Sequence, residues 1–188
     1  MVRAQKNVIP KLITPAFVKQ FVGDKEGTVL ELVHQLSIEI EKNRPENSGK
    51  EEWQKEKKIV DKRMKRTLKL VVKFGILLQN KVFSQEELEY LEVLHQNLEI
   101  LAETMIRTHR QKIEFDYEKF QCLFGNVHNA AKKVLSEHLT EKSLNKMNEV
   151  ATYFSSDTFL IDAFSQSGSQ KDIMDSIIEI LSDLLFIF

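Results

Sequence analysis

Five histidines are the residues in this sequence whose chemistry would suit metal binding or general acid–base catalysis. They are His34, His95, His109, His128 and His138, and they form neither an HExxH motif nor any pair at the i, i+4 spacing. A metal site on a helix needs ligands that share one face, so this spacing favours solvated or hydrogen-bonded histidines. The sequence therefore predicts no metal site and no cofactor.

The single cysteine, Cys122, is the other candidate for reactive chemistry. It is flanked by Phe120, Leu123 and Phe124, with no neighbouring base to activate it, which predicts a buried and inert thiol. One cysteine cannot form an internal disulfide, as is typical of a reducing intracellular setting. Gly-x-Ser-x-Gly, Walker A and glycine-rich dinucleotide motifs do not occur. We therefore expect no enzymatic activity.

A run of basic residues is the feature that most clearly indicates a partner. Between Lys55 and Lys73 there are nine Lys/Arg residues against two acids, Glu56 and Asp61. An anionic lipid surface, a nucleic acid or plain solvation of a helix face would each account for such a run. Nucleic acid is disfavoured because no exposed aromatics or known reading module accompany the run.

Helices must position these side chains, because no proline follows Pro45 and apolar residues recur at helical spacing. The pattern predicts an all-α bundle of six or seven helices, with no strand. Ser84 with Glu87 predicts a capping box, and Asp116, Thr140 and Ser156 or Asp157 predict further helix starts. The predicted helices begin at Gly27-Thr28, about Glu51, Ser84, Asp116, Thr140, Ser156 or Asp157, and Lys171.

Length and charge limit the remaining possibilities. A chain of 188 residues, 42% hydrophobic and 29% charged, suits a single globular domain. Residues 1–83 carry 18 Lys/Arg against 10 Asp/Glu, whereas residues 84–188 carry 9 against 18. The longest apolar run, residues 184–188, is far shorter than the ~20 residues that span a bilayer. Together with an N-terminus lacking a secretory pattern, this predicts a soluble protein with one basic half.

Four stretches, in order, resemble the tumour necrosis factor alpha-induced protein 8 family, also called the TIPE family. Residues 138–143 (HLTEKS) and 153–157 (YFSSD) are similar to its "HLT-x-KS … HFSD" signature. Residues 113–118 (IEFDYE) resemble its "VDFTFE" stretch, and residues 78–83 (LQNKVF) resemble its "HRN-x-x-F" stretch. The similarity extends from about residue 20 to residue 185.

The resemblance implies an antiparallel helical bundle around a hydrophobic central cavity. It also implies a cytoplasmic, non-enzymatic regulator of apoptosis and immune or inflammatory signalling that binds or transfers phosphoinositides or other lipids. Lys65, Lys69 and Lys73 match a lysine series of the family and are expected at the lipid head group. Gln79 and His95 stand where two arginines of family members lie at the cavity mouth.

The N-terminal residues are expected to contact membranes. Arg3, Lys6 and Lys11 match the family's basic N-terminal segment in character, which makes residues 1–20 a basic segment ahead of a helical domain at residues 21–188. The expected partners are a phosphoinositide or other lipid, an anionic membrane surface and unknown signalling proteins, with no nucleic acid. The alternative is a protein–protein adaptor in cell-death signalling that transfers no lipid.

Overall fold

Seven α-helices account for most of the residues that the computed structural model describes, which are 18–19, 22–165 and 168–185. The helices are α1 (Asp24–Lys42), α2 (Lys50–Asn80), α3 (Gln85–Arg110), α4 (Tyr117–Leu135), α5 (Glu141–Phe154), α6 (Asp157–Ala163) and α7 (Gly168–Leu185). A 3-10 turn at Pro45–Asn47 joins α1 to α2, and these ranges contain no strand. The prediction of an all-α bundle with six or seven helices is confirmed.

Local capping explains where several helices begin. The Ser84 hydroxyl accepts from the Glu87 amide while the Glu87 carboxylate accepts from the Ser84 amide, which confirms the capping box. Asp116 and Ser156 also cap their helices through side-chain oxygens. Thr140 occupies the N-cap position of α5 without a side-chain capping bond. Its hydroxyl lies 3.2 Å from the Ser143 hydroxyl instead.

Two helices begin a few residues earlier than predicted. Helix α1 starts at Asp24, after Gly23 with a φ of 99°, so the start predicted at Gly27 was wrong. Glycine at position 23 accepts this left-handed backbone readily, and the acids of the first turn suit the helix dipole. Helix α7 likewise begins at Gly168 instead of Lys171.

The six longer helices close into a ring. Helix α1 packs against α2 and α7, α3 packs against α4 and α7, and α5 packs against α2 and α4. Lys73 of α2 contacts Ser143 at the start of α5, whereas Arg63 contacts Tyr153 near its end. Those two contacts make α2 and α5 antiparallel, as the resemblance implied.

Helix α6 fills one end of this ring, here called the α6 end. It contacts α1, α4, α5 and α7, and its Phe159 and Leu160 are buried in the main hydrophobic cluster with Leu36 and Ile40 of α1. Aromatic rings reinforce the packing, with the centroids of Phe115, Phe120 and Phe164 4.8 to 5.0 Å apart. Offset aromatic contacts of this kind stabilise a core beyond the area they bury.

The prediction that Cys122 is buried was wrong, since its side chain is exposed. Phe120 of the same helix is only 1% exposed. Residues two apart on an α-helix point to nearly opposite sides, so the burial of Phe120 turns Cys122 toward solvent. Its apolar sequence neighbours lie on the inner face.

Candidate functional site

The end of the ring away from α6 is here called the distal end. The hydrophobic core is organised differently there than at the α6 end. It is formed by the starts of α1, α3 and α5 and the ends of α2, α4 and α7. Its buried side chains form two separate hydrophobic clusters among the described residues, instead of one. One comprises Val18, Met64, Leu68 and Val72, and the other comprises Leu94, Ala130 and Val134. The core is therefore divided at the distal end, whereas α6 makes it continuous at the other.

An apolar groove lies between α3 and α7 toward the distal end. Its volume is about 410 Å³, and most of its lining is aliphatic. The lining residues are Glu26, His95, Leu98, Glu99, Leu101, Ala102, Met105, Leu181, Leu184 and Leu185. Polar groups are confined to Glu26, His95 and Glu99. A groove of this size and composition suits a hydrocarbon chain.

His95 is the one predicted site residue that lines this groove. Its side chain is 60% exposed, and Nδ1 lies 3.5 Å from a carboxylate oxygen of Glu99 one turn along α3. The groove therefore has a polar rim on an apolar interior, with the imidazole of His95 beside the carboxylate of Glu99. An arginine at this position would carry a permanent charge, whereas histidine charges only on protonation.

The three predicted lysines do not gather around His95. Lys65 is exposed and Lys69 is half-buried on α2, and neither lines the apolar groove. Lys73 donates a 2.7 Å hydrogen bond to Ser143, which is 8% exposed. Gln79 is exposed in the last turn of α2 and also lies outside the groove lining. The structure thus places the predicted head-group residues on two different walls of the ring.

The N-terminal residues Arg3, Lys6 and Lys11 lie outside the described residues. So do residues 20 and 21, where the sequence suggested a boundary between the basic segment and the helical domain.

A cluster at the distal end was not found by sequence reasoning. Lys81 follows α2, Glu87 lies in the first turn of α3, and His138 lies between α4 and α5. Nε2 of His138 is 2.9 Å from the Lys81 ammonium and 2.8 Å from a Glu87 carboxylate oxygen, and Lys81 also pairs directly with Glu87. Both Glu87 and His138 belonged to sequence motifs, but their meeting is tertiary and no local signal pairs them.

The hydrogen bond from Lys81, followed by the one from the Ser84 amide, lowers the pKa of Glu87 from 4.5 to about 2. A carboxylate that accepts bonds to its charged form is held ionised in this way. Glu87 consequently connects the α2–α3 turn to the α4–α5 turn while it also closes the capping box.

Two more histidines, His34 and His109, make side-chain contacts with carboxylates. His34 lies 3.0 Å from Asp61, and His109, which is buried, contacts Asp175. Within residues 18–19, 22–165 and 168–185, no group of three or more His, Cys, Asp or Glu side chains could hold a metal ion. No helix in the same ranges has the length and apolar content needed to cross a bilayer.

A closed ring of helices with an apolar groove on one side and a basic helix, α2, on another defines a class of small α-helical bundle proteins. The family described as "Tumor necrosis factor alpha-induced protein 8-like" matches residues 1–186, and the chain belongs to it.

Individual relatives are distant but span nearly the whole chain. The chain is 27% identical to "Protein salivary glands marred" of Drosophila melanogaster over 94% of its own length and 87% of the relative. It is 25% identical to human "Tumor necrosis factor alpha-induced protein 8", over 98% and 86% of the two lengths. It is 26% identical to the Danio rerio protein "Tumor necrosis factor, alpha-induced protein 8-like protein 2 B", over 97% and 91%. These names state no catalysed reaction.

Proposed function

We propose that this chain is a cytoplasmic, non-enzymatic regulator of apoptosis and of immune or inflammatory signalling that binds or transfers phosphoinositides or other lipids. The observation that carries the proposal is the apolar groove between α3 and α7, with His95 at its rim. Family resemblance assigns that position to the mouth of a lipid cavity. The aliphatic lining of the groove then receives acyl chains.

The exposed basic surface of α2 supplies the second part of this function. Lys58, Lys62 and Lys65 are exposed along one side of the helix. Each lysine near an anionic membrane contributes about 1 kcal/mol of attraction at physiological salt, so several together hold a protein at the surface. These lysines hold the protein at the membrane, and the groove that binds the lipid lies on a different wall of the ring.

The experiment that tests the proposal compares two exposed aliphatic residues of α3. Leu98 lines the groove and Val93 does not, although each is 46% exposed. Native mass spectrometry of protein purified from cells should show bound lipid in the unmodified chain and in Val93→Gln, and a marked loss in Leu98→Gln. The same variants are then measured for extraction of fluorescent phosphoinositide from vesicles. Absence of co-purifying lipid together with no vesicle binding would refute the lipid function.

The alternative is a protein–protein adaptor in cell-death signalling. It is favoured by the carboxylates at the groove rim, because Glu99 sits beside His95 and Glu26 lines the same groove. Negative groups at a rim oppose an anionic head group, and neither Gln79 nor His95 supplies the permanent positive charge of an arginine to offset them. An adaptor predicts that Leu98→Gln leaves lipid content at zero, as in the unmodified chain, while it alters capture of a protein partner.

A further inference from the structure

A second, polar groove lies on the opposite side of the molecule, at the α6 end. It runs between α2 and α5 and is bounded by the 3-10 turn that follows α1. Its volume is about 870 Å³, within the range of small-molecule sites, and it shares no lining residue with the apolar groove. Whatever occupies it does so independently of the lipid proposed above.

The base of this polar groove is a fixed network around a buried carboxylate. Glu41 is 2% exposed, with Arg44 Nη1 3.0 Å from one carboxylate oxygen and the Tyr153 hydroxyl donating to the other at 3.2 Å. Burial raises the pKa of Glu41, whereas the nearby Arg44 opposes that rise. The network ties the end of α1 to α5 and holds Tyr153 in one orientation.

Arg63 lies over that fixed ring, and its guanidinium makes only long ion pairs. Its Cζ atom lies 4.2 Å from the centre of the Tyr153 ring. Its carboxylate neighbours are Glu56 at 3.6 Å and Glu41 at 4.0 Å, both beyond hydrogen-bond distance. This cation–π contact holds the guanidinium over the ring, and a guanidinium can bind a phosphate through two of its N–H donors.

Neighbouring cations of α2 face the same groove. Lys62 precedes Arg63 and Arg66 follows it by one turn, and both line the groove. Lys62 is exposed and makes no ion pair with the described residues, whereas Arg66 pairs with Glu149. The Glu149 side chain is 56% exposed, and ion pairs with exposed groups are weak, so a doubly charged ligand displaces Glu149 at little cost.

The remaining lining is rich in neutral hydrogen-bonding groups, and overall the groove carries as many carboxylates as cations. The uncharged polar side chains are Asn47, Asn148, Thr152, Ser156 and Thr158. Nη2 of Arg44 and Oδ1 of Asn148 are buried without a hydrogen-bond partner among the described residues. Because the charges of the groove balance, it does not attract every anion. Recognition therefore depends on Arg63 and on hydroxyl or amide contacts with the rest of the ligand.

We propose that this groove binds a soluble phosphate monoester on a small hydroxylated body, with the phosphate held by Arg63 between Lys62 and Arg66. A phosphate monoester is close to doubly charged at neutral pH, which favours it over the single carboxylate of Glu149. The hydroxyls of the body hydrogen-bond to Asn148 and Thr152 of α5 and to Thr158 of α6. The site gives this chain a small-molecule ligand besides its lipid.

The test measures binding of glucose 6-phosphate by titration calorimetry at low salt. Inorganic phosphate and glucose, the two parts of that ligand, are titrated separately. We expect saturable binding of glucose 6-phosphate, weaker binding of phosphate and none of glucose. Arg63→Lys keeps the charge but loses the fork and should weaken binding about tenfold. Lys62→Gln, an exposed substitution that leaves the fold intact, should weaken it severalfold. Lys65→Gln, on the same helix but outside the groove, should leave it unchanged.

Three results would overturn the proposal. One is no saturable binding of glucose 6-phosphate or of glycerol 3-phosphate, a smaller monoester, by the unmodified chain. Another is an equal loss in Lys65→Gln and Lys62→Gln, which would reduce the effect to net charge. The third concerns phosphatidic acid, a lipid that carries a phosphate monoester at the membrane surface. If the protein binds vesicles containing this lipid through Arg63 but binds no soluble monoester, the proposed soluble ligand is excluded. Loss of lipid binding in Leu98→Gln affects none of these outcomes.

Discussion

The ammonium group of Lys73 donates a 2.7 Å hydrogen bond to the hydroxyl of Ser143, which joins the distal part of α2 to the first turn of α5. Ser143 is buried, and Thr140 Oγ1 lies 3.2 Å from its hydroxyl. Lys65, two turns earlier on α2, is exposed and makes no ion pair with the described residues. Lysines that share one sequence pattern therefore have different roles, since Lys73 holds two helices together and Lys65 faces solvent.

The first prediction separates these roles by substitution. Lys65→Gln with Lys69→Gln should weaken binding to phosphatidylcholine vesicles containing phosphatidylserine by about 2 kcal/mol and reduce its salt dependence, because each lysine contributes ~1 kcal/mol. Lys73→Gln should instead lower the free energy of unfolding by about 1 kcal/mol, the value of a typical lost hydrogen bond. Vesicle sedimentation and urea denaturation measure the two effects.

Lys132→Gln, on the exposed side of α4, is the control for net charge. Equal effects of all substitutions on vesicle binding would assign the lysines of α2 to solubility alone.

The second prediction concerns the two positions where family members carry arginine. Gln79→Arg with His95→Arg should strengthen phosphoinositide binding and sharpen discrimination among phosphoinositides, because each guanidinium grips phosphate through two donors. His95 already lies 3.5 Å from Glu99, so a new arginine there is drawn into an ion pair. Adding Glu99→Gln should therefore increase the gain further.

Vesicle binding with several phosphoinositides, at one ionic strength, measures this effect. The matched control places arginine at Gln96, the exposed neighbour of His95 on α3 that does not line the groove. If the double arginine variant binds no better than this control, the head group is recognised elsewhere.

Local features of this fold were predictable from sequence, whereas tertiary pairings were not. The Ser84–Glu87 capping box and the Asp116 cap depend on residues three positions apart, so a short window contains all of the information. The order of helices in the ring and the partner of His138 depend on which helices pack together. The prediction that Cys122 is buried was wrong because its neighbours in the sequence are apolar both before and after it. Only the packing of Phe120 decides which face of α4 points inward.

The same distinction applies to the candidate site. Sequence reasoning found His95 and the lysines through residue type and family resemblance, and the structure places only His95 at the apolar groove. Sequence reasoning did not predict the polar groove, because its lining residues come from α1, α2 and α5. The contact between Arg63 and Tyr153 joins two of these helices, so no single segment reveals it. Charge patterning along α2 showed that cations are abundant there, but it contains no information on which of them is held rigid.

The third prediction follows from the low pKa of Glu87, which is about 2 in the folded chain against an ordinary value of 4.5. A carboxyl whose pKa is lower in the folded state stabilises the fold at every pH above 4.5 and loses that contribution as the pH falls toward 2. Glu87→Gln should therefore destabilise the protein at neutral pH. The difference from the unmodified chain should shrink as the pH falls from 4.5 toward 2.

Urea denaturation at pH 7, 4 and 3 measures this dependence. Glu89→Gln changes an exposed acid two positions along α3, and its difference from the unmodified chain should stay nearly constant over the same range. A constant difference for Glu87→Gln would mean that Lys81 and His138 do not act on the ionised carboxylate.

The last prediction uses two glycines that lie within helices. Gly125 is inside α4, and a Cβ atom added there would meet nothing within 4 Å. Glycine in a helix interior costs about 0.5–1 kcal/mol relative to alanine, because the unfolded chain is more flexible and the helix gains no side chain. Gly125→Ala should therefore raise the free energy of unfolding by about that amount and raise the urea midpoint with an unchanged slope. Gly27 of α1 is the matched control, since an added Cβ there would overlap with Cγ of Lys19. Gly27→Ala must displace the Lys19 stem, so we expect no gain or a net loss of stability. An equal increase in both variants would show that Lys19 moves aside freely, and a decrease in Gly125→Ala would contradict the open space beside α4.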